Sequence, residues 1–113
     1  MSPITTHVLD TTLGRPAGAV PVTLEVQRDG GWQTAGQGVT DADGRLRTLL
    51  DDVRPLGGGV YRLTFDTAAY FERVGLQAFY PRVLVEFTVA AGESHYHVPL
   101  LLSPFGYTTY RGS

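Results

Sequence analysis

Cysteine and lysine are both missing from this chain of 113 residues, and charged residues of either sign are few, at 18%. Without cysteine there are no disulfides, thiolate nucleophiles or cysteine-ligated zinc sites. All nine basic residues are arginine, which removes Schiff-base lysine chemistry. No stretch approaches the roughly 18 consecutive apolar residues that a transmembrane helix needs. The opening MSPITTHVLD has neither the basic start nor the apolar run of a signal peptide. A formal net charge of −2 gives no electrostatic footprint for nucleic acid or an anionic membrane. The expectation is a soluble cytoplasmic protein that partners neither.

What is present points to a folded β domain. The length fits one domain with a modest core, and 42% hydrophobic content argues against disorder. Fourteen glycines and seven prolines imply many turns. Residues 4–11 alternate, with Ile4, Thr6 and Val8 on one face and Thr5, His7 and Leu9 on the other. GRPAGAVP reads as a loop, and Val20, Val22, Leu24 and Val26 mark the core face of a second strand. Asp29-Gly30-Gly31 is a hairpin signal leading into a weaker strand from Trp32 to Val39, and TDADGR (Thr40 to Arg45) is another tight turn. Leu46, Leu49 and Leu50 show no clean period before breaks at Pro55 and Gly57 to Gly59.

Further on, Tyr61, Leu63 and Phe65 alternate through a strand from Val60 to Asp66, and Val83, Val85, Phe87 and Val89 do so after Pro81. Thr67 to Val74 is the one convincing helix, with Thr67 as its cap and Gly75 as its end. The stretch from His95 to Leu102 places Tyr96, Val98, Leu100 and Leu102 on a core face, and His95, His97, Pro99 and Leu101 on the other. That second face is too apolar for water and too polar for a core, so burial by assembly around a site is expected. Phe105 to Gly112 completes seven or eight short strands, which predicts an antiparallel β-sandwich.

Several patterns carry possible chemistry. His95 and His97, two apart on a strand, project the same way with side chains about 7 Å apart. With His7 they could form a three-histidine metal site, although His-x-His on strands is commonly structural. Asp41-Ala42-Asp43-Gly44 resembles a calcium loop but has Leu46 where the register requires glycine, so a turn is expected. Gly57 to Gly59 lacks the Lys-Ser/Thr of a phosphate loop. Ser2, Ser94, Ser103 and Ser113 sit in no nucleophile elbow. The ending Tyr110-Arg111-Gly112-Ser113 would normally read as a frayed end, but it follows directly on a strand, and composition alone leaves a part in a site open.

Taken together, Thr6-His7-Val8-Leu9-Asp10, Gly14-Arg15-Pro16-Ala17, TDADGR, Phe79-Tyr80-Pro81, the HYHVPLLLSP block from His95 to Pro104 and the final YRGS carry a resemblance to the transthyretin-related proteins, the 5-hydroxyisourate hydrolases. It spans essentially the whole chain. YRGS is its most specific element, since within that family it separates the enzyme from the hormone carrier. The resemblance implies one transthyretin-like (prealbumin-like) domain over residues 1–113, a sandwich of two four-stranded sheets with one short helix. It implies a homotetramer, a dimer of dimers, with sites in the channel between dimers. It also implies hydrolysis of 5-hydroxyisourate to 2-oxo-4-hydroxy-4-carboxy-5-ureidoimidazoline in urate breakdown, with no metal and no cofactor.

Carried over by motif, the catalytic residues are His7, Arg45, His97 and Ser113, and substrate would contact His7, Arg45, His97, Tyr110, Arg111 and Gly112. The chemistry is coherent by itself. A neutral histidine can deprotonate water near pH 7, and an arginine fork can pair with a planar anionic ring. The runner-up is a non-enzymatic carrier of a small aromatic ligand in the same channel. The expectation is a tail folded against His7 and His97.

Overall fold

A computed structural model describes residues 2–50, 56–93 and 95–113; the expected break at Pro55 and the hydroxyl of Ser94 lie outside them. In chain order the elements are β1 (Ile4–Asp10), β2 (Arg15–Pro16), β3 (Pro21–Arg28), β4 (Gly31–Val39), β5 (Arg45–Leu46), β6 (Gly59–Phe65), α1 (Thr67–Arg73), β7 (Val83–Val89), β8 (Tyr96–Ser103) and β9 (Gly106–Thr109). Two sheets result. One runs β4-β3-β6-β7, and the other runs β2-β1-β8-β9 with β5 also pairing β1. The two-residue strands β2 and β5 take successive stretches of one β1 edge, Leu9–Asp10 and Thr6–His7. Five strands therefore fill four positions.

The sandwich differs from the sequence expectation in one respect. β1 and β8 pair in parallel, in register from Ile4↔Tyr96 to Asp10↔Leu102, so the fold is not purely antiparallel. Parallel neighbours need a long crossover; here the whole opposite sheet lies between them in sequence.

The alternating patterns place the core as expected. Ile4, Val8, Leu24, Leu63, Phe65, Val83 and Leu100 are fully buried between the sheets, and Val22 and Leu102 nearly so. Each such side chain contributes roughly 1.5–3 kcal/mol through removal from water. Val85 and Phe87 on the edge strand β7 are only partly buried against this cluster. The β3–β4 hairpin turns through Asp29 and Gly30 at φ of 52° and 79°, the left-handed pair that a tight type I′ turn requires.

Two local expectations are corrected. Asp66, not Thr67, caps α1, because its carboxylate accepts from Ala69 N–H at 3.1 Å. The Thr67 hydroxyl instead donates to the Tyr80 carbonyl at 3.0 Å from a fully buried position. The final strand stops at Thr109, and the chain rejoins the sheet only through a single bridge between His97 and Gly112.

Asp10, at the end of β1, is almost wholly buried yet fully engaged. Its Oδ1 accepts from Thr12 and Leu13 N–H at 2.9 Å each, and its Oδ2 accepts the Tyr70 hydroxyl of α1 at 2.6 Å. Burial and this bond push the Tyr70 hydroxyl up to about 12. Asp10 thus ties sheet to helix, at the end of the sandwich away from Thr5 and the histidines. Among the described residues, no helix is long and apolar enough to cross a membrane.

Candidate active site

The side chains that carry chemistry lie on the outer face of β1 and β8, opposite the core. Strand registers fix their order. Arg45 on β5 is the cross-strand partner of His7 on β1, while Thr5 on β1 is the partner of His97 on β8. Beyond His97 the tail closes the row, Gly112 N–H donating to the His97 carbonyl at 2.8 Å. Paired residues in a sheet share a face, so these groups converge without any loop rearrangement.

The TDADGR turn is the scaffold that aims two of them. The Asp41 carboxylate accepts the backbone N–H of Asp43 and of Arg45, each at 2.9 Å. The Arg45 bond is the chief reason the Asp41 carboxyl sits below its usual range. Gly44 carries φ of +77°, and a Cβ there would lie 2.3 Å from the Val8 carbonyl oxygen, so only glycine lets the turn lie flat on β1. His7 Nε2 lies 2.8 Å from the Asp43 carbonyl oxygen. A carbonyl only accepts, so Nε2 carries the proton, and Nδ1 is the acceptor in neutral His7. The turn therefore sets both the Arg45 position and the His7 tautomer.

A cavity of about 240 Å3 opens on this face. It brings together three of the residues expected from sequence, Arg45, His97 and Ser113, and adds Thr5, Thr6, Arg47 and His95. His97 is half-buried, and its imidazole is held below the ordinary histidine value, first by burial and then by electrostatic repulsion of its charged form by His95, Arg45 and His7. Thr5, almost wholly buried, places its hydroxyl 3.0 Å from His95 Nε2 and 2.8 Å from His97 Nδ1. The two imidazoles stack with centroids 6.4 Å apart and planes 16° from parallel.

The structure divides the remaining expected residues. His7 stands beside the cavity rather than in its wall, one residue pair further along β1. The YRGS tail splits. Tyr110 and Arg111 line a separate cavity of about 230 Å3 with Tyr96, Val98 and Phe87, and the Arg111 guanidinium stacks 4.5 Å over the Tyr96 ring. Within one protomer these two do not meet the histidines, contrary to the expectation of a tail folded wholly against them. Gly112 touches His97, since a Cβ on it would lie 2.7 Å from His97 Cδ2. Among the described residues no cluster of three or more His, Cys, Asp or Glu has metal-binding geometry. Sequence reasoning missed Thr5 and Arg47. The available signal was period two, because each sits two residues from an expected site residue on the same strand face or its extension.

Comparison with known proteins agrees with this architecture. Residues 4–112 match the model of the HIUase/Transthyretin family. A 5-hydroxyisourate hydrolase from Salmonella dublin is 46% identical over 110 residues, covering 97% of this chain and 80% of that protein. Klebsiella pneumoniae 5-hydroxyisourate hydrolase superposes with a TM-score of 0.84 at 42% identity, covering 100% of both chains. Sea bream transthyretin in complex with thyroxine superposes with a TM-score of 0.90 at 39% identity, covering 97% of this chain and 94% of that one. With its sandwich, its residues and its relatives in agreement, this chain belongs to the HIUase/transthyretin family.

Proposed function

We propose that this protein is a 5-hydroxyisourate hydrolase of urate degradation, and that its outer-face cavity opens the substrate ring with water activated by a histidine. The observation that carries the reading is the meeting of Arg45, His97 and Ser113 in one cavity, in a chain 46% identical to a protein named for that hydrolysis. A His97 kept below the ordinary histidine value is neutral at pH 7 and able to accept a proton. Water gives that proton to His97 as its oxygen bonds to the ring carbonyl carbon. The carbon–nitrogen bond then breaks, and the departing ring nitrogen takes the proton back. Arg45 pairs with the anionic ring and offsets charge developing on its oxygens. His7, its Nε2–H held by Asp43, presents Nδ1 to orient substrate or water. The Ser113 hydroxyl serves as a further polar contact.

The site would be completed by assembly as a homotetramer, a dimer of dimers. Two features support this. The outer face of β1 and β8 carries half-buried Leu9 and Leu101 among its polar groups, and among the described residues β7 and β9 each end a sheet with one edge unpaired. In such an assembly Tyr110 and Arg111 would reach substrate from a neighbouring protomer's side of the channel.

A carrier reading has one observation in its favour, the TM-score of 0.90 with thyroxine-bound sea bream transthyretin against 0.84 with the Klebsiella hydrolase. Backbone likeness of that order reports the shared sandwich and not the lining of its channel. Two arginines and two histidines in the cavity wall suit an anionic polar ring better than an apolar hormone. The test generates 5-hydroxyisourate from urate in situ and follows its ultraviolet decay. Acceleration by the protein, unaffected by a strong chelator, is expected. A decay no faster than the spontaneous one would sink the enzyme reading.

A further inference from the structure

The Thr5 hydroxyl sits between two imidazoles, and a hydroxyl has only one proton to give. It can donate to His97 Nδ1 while accepting from His95 Nε2, or the reverse. The two arrangements leave opposite forms of His97. In the first, His97 carries its proton on Nε2; in the second it carries it on Nδ1 and keeps a lone pair on Nε2. Since Nδ1 is engaged by Thr5, Nε2 is the ring nitrogen left for the cavity.

The charges around the cavity choose between them. Arg45 and Arg47 both line it, and guanidinium groups repel an N–H dipole pointed at them while attracting a lone pair. The second arrangement is therefore favoured, and the bonds run from His97 Nδ1–H to Thr5 Oγ1 and from Thr5 Oγ1–H to His95 Nε2. Burial strengthens the case, because Thr5 is 3% exposed and its hydroxyl must keep both partners or lose a bond that water cannot replace.

We propose that Thr5 is a positioning residue that holds His97 in its base-ready tautomer, and that His95 is the terminal proton acceptor of a His97–Thr5–His95 relay. When water gives its proton to His97 Nε2, the Nδ1 proton passes to Thr5 Oγ1 and the Thr5 proton passes to His95 Nε2. His97 stays neutral with its tautomer reversed, and the positive charge appears on His95. The return of the proton to the ring nitrogen runs the same chain backwards. No group outside the cavity wall is needed for the balance.

The relay rests on the hydrolase reading, whereas the tautomer does not, and the tests separate the two. Ring-nitrogen NMR of the histidines in the intact wild-type protein near pH 7.5 is expected to show His97 protonated on Nδ1. His97 protonated on Nε2 overturns the positioning role whatever the activity. Nδ1–H on His97 in a protein that leaves 5-hydroxyisourate to decay spontaneously supports the positioning role and overturns the hydrolase reading. Thr5→Val, which keeps the β-branched shape and removes the hydroxyl, is expected to lower kcat by about 100-fold with KM little changed, and to move the His97 proton to Nε2. Thr5→Ser keeps the hydroxyl and recovers most of kcat. His95→Phe removes the acceptor and should cost about as much as Thr5→Val, with the double variant no worse than either. Additive losses, or wild-type kcat in Thr5→Val, overturn the relay.

Discussion

The two faces of the β1–β8 pair carry the same backbone and obey different rules. On the inner face Ile4, Val8, Leu100 and Leu102 are buried to within a few per cent of completeness. The polar Thr6 among them donates its hydroxyl to the Val98 carbonyl at 2.6 Å. On the outer face, one residue away at every step, Thr5 is hydrogen-bonded to His97, His7 to the TDADGR turn, and His97 to the tail. The inner face works by area, so its residues are replaceable by others of similar volume at modest cost. The outer face works by position and charge, so each residue is replaceable only by one with the same donor or acceptor in the same place. A strand with period two is an economical way to build a site, because the packing that fixes one face fixes the other.

The largest expected break in that comparison comes from His97→Ala or His7→Ala. Either should lower ring-opening kcat/KM by about 10³-fold or more, roughly 4 kcal/mol of transition-state stabilisation, while the state of assembly stays as in wild type; the unfolding curve stays too for His7→Ala, whose partner is the exposed Asp43 carbonyl, whereas His97→Ala also leaves the buried Thr5 hydroxyl one partner short. Leu100→Ala is the mirror experiment on the inner face. It should cost about 2–5 kcal/mol of stability by thermal or denaturant unfolding and leave kcat of the folded fraction unchanged. If His7→Ala or Leu100→Ala moved both quantities together, the faces would be coupled.

Gly112→Ala sharpens the comparison at the tail. Its new methyl would press on His97 Cδ2 at 2.7 Å and Pro99 Cγ at 3.2 Å, so either the imidazole or the tail must move. A loss of about 10- to 100-fold in kcat/KM is expected, with less than about 1 kcal/mol of stability, measured by the same assay and unfolding curves. Tyr70→Phe does the reverse at the far end of β1. It leaves the buried Asp10 carboxylate short of its 2.6 Å donor, at a cost of about 1–3 kcal/mol in stability and none in turnover.

These variants also mark where the sequence could be read directly. Both faces of β1, β3, β6 and β8 follow from alternation alone, because a half-buried strand is forced to alternate. The turn at Asp29-Gly30 was legible because left-handed backbone has few tolerant residues. The parallel pairing of β1 with β8 was not, since strand order is decided by contacts distant in sequence. Strands of two residues, such as Arg15–Pro16 and Arg45–Leu46, are too short to have a period. Of the site, His7, Arg45 and the histidine strand stood out by residue type and motif. Thr5 did not, because a threonine on a strand is ordinary until its neighbours across the sheet are known. The separation of Tyr110 and Arg111 from Gly112 and Ser113 followed from a strand that ends at Thr109 and a single bridge at Gly112, and no residue pattern encodes that.

The smallest expected effect is a dependence on pH that only the outer face can produce. His97 is held below its ordinary value of 6.5, chiefly by burial and then by electrostatic repulsion of its charged form by His95, Arg45 and His7. In the unfolded chain the same imidazole takes up its proton near 6.5, so below that pH the unfolded state binds more protons than the folded one. Stability contributed by neutral His97 is therefore intact above pH 6.5 and is lost as pH falls from there through the folded value. Activity obeys the same group with a different reference. The acid limb of kcat/KM should lie below pH 6.5, because the base stays neutral further into acid than a free histidine would. Comparing wild type with His97→Asn isolates the term, since their difference in unfolding free energy should be constant above pH 6.5 and change only below it. Leu100→Ala, by contrast, removes no titratable group, so it should lower stability by about the same amount on either side of pH 6.5. An acid limb at or above 6.5 would mean that His97 gains a partner for its charged form, and the outer face would then work by ion pairing instead of by a neutral base.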